Sequence, residues 1–290
     1  MGIGIPVLNF LKYSFKKNGE FKRTATIGRQ SIKSLRKRDI KKILNLAKEV
    51  DYGLYCEELL RANFGATKVD SYDYSDYEGA TYTCDLNKPL PVNLIGPEHQ
   101  YDTVIDFGSL EHIYNLPQAF KNLSTMCCDG GVILHVSPAN NCCGHGFWQL
   151  SPELFYSLYS EANGYAETEV FLADLTDKKY WYKVKKPENG IRRVLENCSE
   201  VYNLVRTKKV GNFSHDDVQQ SDYIHIWKGE NKDLDNAYIM KKAKEFVKHH
   251  PSLLPFVSSI YWQLHSIKYP KSLSGRNIHL IKHTVQEWIG

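Results

Sequence analysis

From about residue 21 to residue 229, short apolar runs alternate with stretches whose apolar positions recur at helical spacing. The runs at 24–27, 66–72, 80–83, 103–107, 132–137 and 167–172 have strand length and are bounded by Gly, Asp or Pro. A last run of this kind, 223–227, is expected to close the sheet. Helical spacing covers 34–47, 52–63 and 116–126. Another helix is expected from Ser151 to about Glu161, since Ser151 is a good cap and Pro152 suits the first helical position. Strands alternating with helices predict an α/β fold: a mostly parallel sheet covered by helices on both faces. Ahead of it, 1–20 is expected to be a lead-in with Val7, Leu8, Leu11 and Phe15 on one helical stripe, fit to dock on the domain or to lie on a membrane interface. Beyond 229 the pattern turns helical, at 233–249 and 253–267, so 230–290 is expected to be a helical C-terminal extension of the 21–229 domain.

Charge changes this picture at one end. Residues 1–48 carry 13 Lys and Arg against Glu20 and Asp39, a local balance of +11 in a chain of net charge +4. That asymmetry suits contact with an anionic surface, and equally a solvated basic face turned toward an acidic remainder. Interleaved aromatics and a recognisable RNA-binding pattern are lacking, which disfavours a nucleic-acid partner. No apolar run approaches the roughly 20 residues of a spanning helix. The seven cysteines suit free thiols in a reducing, cytoplasmic setting. Two adjacent pairs, at 127–128 and 142–143, lack the spacing of a zinc site, so packing is their expected role and no metal site is expected.

The segment 101–138 is the most telling. Its order is apolar run, Asp106, Gly108, the string LEH (Leu110, Glu111, His112), a helical stretch, Gly130 and Gly131, a second apolar run and Pro138. This resembles the second half of a class I S-adenosylmethionine-dependent methyltransferase, and the likeness extends over about 21–228. It implies a Rossmann-like sheet with S-adenosylmethionine beyond the carboxyl ends of the strands. In this likeness Gly28 and Arg29 follow the first strand, where the family has two or three glycines; here Gly28 stands alone and Arg29 is a candidate for the methionine carboxylate. Asp73, in a V-x-x-x-D-x-S string from Val69 to Ser75, takes the place of the ribose-binding acid. Asp85 and Leu86, followed by Pro89 and Pro91, take the place of the adenine contacts. Gly108 would pass the methionine end, and Glu111 and His112 would meet cofactor or substrate; Glu111 suits a helix start equally well.

The loop after the fifth strand would face the transferred methyl group. It holds Asn140, Asn141, His145 between Gly144 and Gly146, then Phe147 and Trp148. His145 is the candidate base, since a neutral hydroxyl is a poor nucleophile and imidazole titrates near neutrality. Asn140 and Asn141 are candidates to orient a polar acceptor such as a sugar, with the aromatics stacking on its face. The same residues also suit a turn knitted by its own hydrogen bonds. The resemblance, closest in impression to methyltransferase-like proteins of bacterial surface-polysaccharide loci, implies O-methylation of a small molecule or glycan. The single-glycine loop leaves a second expectation open: a non-catalytic relative binding a glycan or protein partner through the same cleft.

Overall fold

The computed structural model describes residues 2–188, 190, 193, 195, 197–215, 218–229, 248–268, 273–274 and 277–290. Its strands are β1 (Lys22–Ile27), β2 (Ala66–Asp73), β3 (Tyr82–Thr83), β4 (Tyr101–Phe107), β5 (Cys127–Asn140), β6 (Tyr165–Asp174), β7 (Tyr180–Val184), β8 (Val201–Lys209) and β9 (Leu280–Thr284). Together they form one sheet of order β3-β2-β1-β4-β5-β8-β6-β7-β9. The pairings β3-β2-β1-β4-β5 are all parallel, and those from β5 to β9 are all antiparallel. Only β7 and β8 therefore run against the common direction. The result is the expected α/β, Rossmann-like sheet, with helices on both faces. Chain order reverses between β1 and β4, and that switch opens a crevice at the strands' carboxyl ends.

The central strands are buried on both sides, as the run YDTVIDF of β4 requires. One face is covered by α4 (Leu116–Met126) and α5 (Pro152–Leu158), whose Phe120, Leu123 and Phe155 join Ala25, Val104 and Ile133 of the sheet. Ser151 accepts a hydrogen bond from the Glu153 amide, which is the cap expected for α5. The other face is covered by α1 (Ile5–Asn18), α2 (Lys37–Leu44), α3 (Glu57–Phe64) and α8 (Val285–Ile289). Two further helices are α6 (Ser221–Trp227) and α7 (Leu254–Lys268).

Three expectations change. The segment 1–20 is built into the core rather than leading up to it: Leu8, Phe10, Leu11 and Tyr13 of α1 are buried, and Phe10 and Tyr13 meet Trp181 edge-on. Burial of that apolar stripe accounts for docking over a membrane-surface role. The run 223–227 is helical, because β8 fills the slot beside β5 and leaves Tyr223, Ile226 and Trp227 exposed on α6. The chain's end is not purely helical either: β9 pairs with β7 from Tyr180 opposite Thr284 to Val184 opposite Leu280, and α8 buries Val285 and Ile289 in the same layer as α1. The expected helix at 253–267 is α7, whereas most of 233–249 lies outside the described residues. No helix among the described residues is long and apolar enough to cross a membrane. All seven cysteines are free thiols.

Candidate functional site

The crevice at the β1/β4 switch is built from post-strand turns. Gly28 ends β1 at φ 70°, a conformation costly for other residues, and its amide donates to the Tyr72 carbonyl of β2 at 2.7 Å. Ser109, past β4, closes the switch from the other side: its hydroxyl donates to the Ile27 carbonyl at 2.5 Å. Asp106 holds that turn, with Oδ1 accepting from the Ser109 and Leu110 amides at 3.0 and 3.2 Å. Behind it, His135 lies 2.9 Å from Asp106 through Nδ1 and 2.7 Å from the Tyr159 hydroxyl through Nε2, all buried. A carboxylate only accepts, so Nδ1 of His135 is the donor.

The resulting cleft has a volume of about 190 Å³. Gly28, Asp73, Asp85, Leu86 and His112 all line it, together with Ser109 and Ile113. Five of the eight residues expected around a cofactor thus meet in one place. Asp73 is the last residue of β2, and its Oδ1 accepts from the Tyr74 amide at 2.7 Å. Asp85 accepts from the Asn87 amide at 3.0 Å and side chain at 2.9 Å, and Lys88 lies 3.1 Å away. The Asn87 side chain, followed by Lys88, holds the Asp85 carboxyl below the usual carboxylate range. Ile27, Tyr72 and Cys84 give the cleft an apolar flank. They had no separate signal in the sequence, but each stands at a strand end, where such residues are to be sought.

Three expected residues lie elsewhere. Arg29 turns away from the cleft: its Nε is 2.7 Å from Glu57, its Nη1 donates to the Glu78 carbonyl at 2.7 Å, and its guanidinium lies 4.1 Å from the Tyr55 ring centre. With its donors so engaged, it fastens α3 and the 74–80 loop. Gly108 shapes the turn at φ 87° without lining the cleft. Glu111 lies under the cleft's rim in a single helical turn, Leu110–His112, rather than at the start of α4.

The loop after β5 divides in function. Asn140 donates from Nδ2 to Asn197 Oδ1 at 2.7 Å, and Asn141 to the Ser199 carbonyl at 2.7 Å, so both amides stitch the end of β5 to the segment before β8. These hydrogen bonds knit the turn. Next, the Phe147 and Trp148 amides donate to the Glu111 carbonyl at 2.7 and 3.2 Å, which folds the loop back over the LEH turn. His145 is thereby brought to His112, with ring centres 5.4 Å apart, and its Nε2 lies 3.5 Å from Glu111 Oε1. Burial first, and the Asp106 carboxylate second, push the Glu111 carboxyl up to about 8. Burial, then the neighbouring His145, lowers the His112 imidazole below its ordinary value. Tyr114 and Phe147 stand exposed beside this cluster, edge to face at 6.3 Å.

No protein-family model matches the chain, and no curated protein matches it in sequence. Among solved structures it is similar to the trans-methyltransferase CalH in complex with SAH, at 14% identity over 71% of this chain and 55% of that one, with a TM-score of 0.38. The chain therefore spans little more than half of that protein. It is also similar to the N-methyltransferase NodS from Bradyrhizobium japonicum, at 12% identity over 70% of this chain and 93% of that one, TM-score 0.37. The YcgJ protein from Bacillus subtilis shares 11% identity over 70% of this chain and 99% of its own, TM-score 0.39.

Proposed function

We propose that this protein is an S-adenosylmethionine-dependent methyltransferase that acts on a hydroxyl of a small polar acceptor, such as a sugar. The observation that carries the proposal is the cleft at the β1/β4 switch, where two carboxylates, a left-handed glycine and apolar side chains converge. These groups fit the cofactor. Asp73, at the end of β2, is suited to accept from both ribose hydroxyls. Asp85 and Leu86 offer an acceptor and an apolar edge for the adenine, and Gly28 permits close backbone approach. Ser109, held by the turn that Gly108 shapes, borders the remaining part of the cleft, for the methionine end.

When bound, the cofactor supplies an electrophilic methyl group on a positively charged sulfur. The protein's own part is to orient the acceptor oxygen and remove its proton. His145, held over Glu111 by a loop that only glycines on either side permit, is the group for that proton. Exposed Tyr114 and Phe147 beside it offer ring faces of the kind that receive a sugar.

Calorimetric titration with S-adenosylmethionine and S-adenosylhomocysteine tests the reading. Saturable micromolar binding is expected, weakened at least about tenfold in Asp73→Ala by loss of a charge-assisted acceptor worth about 1.5–3 kcal/mol. A folded protein that binds neither compound would overturn it and favour a non-catalytic binding protein.

A further inference from the structure

Glu111 is an anomaly in the site just described. Its side chain is 0% exposed, and neither carboxylate oxygen has a hydrogen-bond partner. A carboxyl group taken out of water with neither a hydrogen-bond partner nor a cation beside it costs free energy in either protonation state. Two imidazoles are close by. Nε2 of His145 stands 3.5 Å from Oε1, beyond a normal hydrogen bond, and one donor atom each from Glu111, His112 and His145 lie within 4.8 Å of one another.

We propose that Glu111, His112 and His145 form a binding site for one divalent transition-metal ion. Metal bonds to imidazole nitrogen and carboxylate oxygen are about 2.0–2.2 Å, so the three groups must close somewhat around the ion. Both imidazoles are on exposed residues and have room to turn, His145 with 47% of its side chain accessible. The backbone has already made the larger approach. Gly144 and Gly146 sit at φ 86° and 75°, and a Cβ on Gly146 would stand 2.8 Å from the Glu111 carbonyl oxygen. Only glycine lets the loop lie this close over Glu111.

The donor set selects the kind of ion. One carboxylate and two imidazoles suit zinc, manganese, iron or cobalt, whereas magnesium and calcium favour all-oxygen sites. Three protein ligands leave positions open, as in catalytic rather than structural sites. His112 also lines the cleft, so the ion stands at the cleft's edge. On the methyltransferase reading, an acceptor oxygen takes an open position, is acidified there and gives its proton to water, so that Nε2 of His145 serves as a ligand with the ion bound and as the base only without it. Only this catalytic consequence rests on that reading; the binding site does not.

The experiment is a Co²⁺ titration of the chelator-treated full chain, without cofactor, followed by visible d–d absorption, with Zn²⁺ as competitor. One Co²⁺ per chain is expected, displaced by Zn²⁺. His145→Ala, which alters an exposed side chain, and Glu111→Gln are each expected to weaken binding at least tenfold, with melting curves showing that both remain folded. Absence of saturable binding by the folded protein would overturn the site, as would undiminished binding in His145→Ala, which would place the ion on other histidines or thiols. Parallel titration with S-adenosylmethionine separates the two proposals. Co²⁺ binding without cofactor binding upholds the metal site and refutes methyl transfer; cofactor binding without Co²⁺ binding does the reverse and leaves His145 as the base.

Discussion

At the scale of single residues, identity of side chain and end of strand together decide what lines the cleft. Asp73 and Asp85 are legible because each directly follows an apolar run, and each also caps its own turn, by accepting from the Tyr74 and the Asn87 amide respectively. Arg29 shows the limit of that logic. It occupies a loop where a cation would suit a carboxylate ligand, yet Glu57, the Glu78 carbonyl and the Tyr55 ring take up its guanidinium. Those partners come from the start of α3, from the segment just before it and from the loop after β2, and nothing in the string TIGRQ announces them. Arg29→Ala is accordingly expected to leave cofactor affinity within about twofold. It is expected to cost about 1 kcal/mol of stability, the scale of one partly exposed ion pair with one cation–π contact. Calorimetry and urea unfolding on the same variant distinguish the two effects, and a tenfold loss of affinity at unchanged stability would restore Arg29 to the site.

Elements were legible where one period dominated. The parallel half of the sheet and helices α3 to α5 follow from apolar runs and helical spacing, because strands covered on both faces read as continuous apolar runs and each helix turns one stripe to the sheet. The antiparallel half was harder. β8, with the sequence VYNLVRTKK, is buried on both faces despite its charges. Its Arg206 is satisfied by Asn18 and Glu167, residues remote in sequence. The metal-site candidate has a similar history: Glu111 and His112 stand out in LEH, but their convergence with His145 depends on how the loop after β5 folds back. That return is made by the Phe147 and Trp148 amides on the Glu111 carbonyl, with Gly146 beneath them. Gly146→Ala adds a Cβ that meets this carbonyl at 2.8 Å and imposes φ 75° on a residue that resists it. Strain of about 1–3 kcal/mol is expected. Because it falls on the loop and not on the sheet, it is expected to appear chiefly as a loss of turnover, with cofactor affinity little changed. Equal losses in both, measured by initial rates and by titration, would mean that the loop also shapes the cofactor cleft.

Across the whole molecule, the two ends of the chain close one layer. α1 and α8 lie in the same apolar cluster, and Trp288 packs edge-on against Phe171 of β6 at 5.0 Å. A polar cluster ties α1 to the antiparallel strands. Tyr13 of α1 donates to Glu169 of β6 at 2.7 Å, Lys183 of β7 lies 2.5 Å from the same carboxylate, and Arg206 of β8 lies 3.6 Å away. Burial alone would raise the Glu169 carboxyl; Lys183, Tyr13 and Arg206 together outweigh it and hold the group below its ordinary value. A carboxyl lowered by folding contributes stability that is full above its unfolded value, about 4.3, and is lost as pH falls through the folded value. In Glu169→Gln the Tyr13 hydroxyl keeps an acceptor, but Lys183 and Arg206 lose a charge partner, at about 1–3 kcal/mol near neutrality. The difference in melting temperature between the natural protein and Glu169→Gln is therefore expected to stay constant from pH 7 to about 5, then shrink toward zero as the medium is made more acidic. Other carboxylates titrate in both proteins and largely cancel from the difference. A gap that persisted unchanged to pH 3 would mean that Glu169 holds α1 by shape and hydrogen bonding alone, with its charge contributing nothing to the closure of the chain.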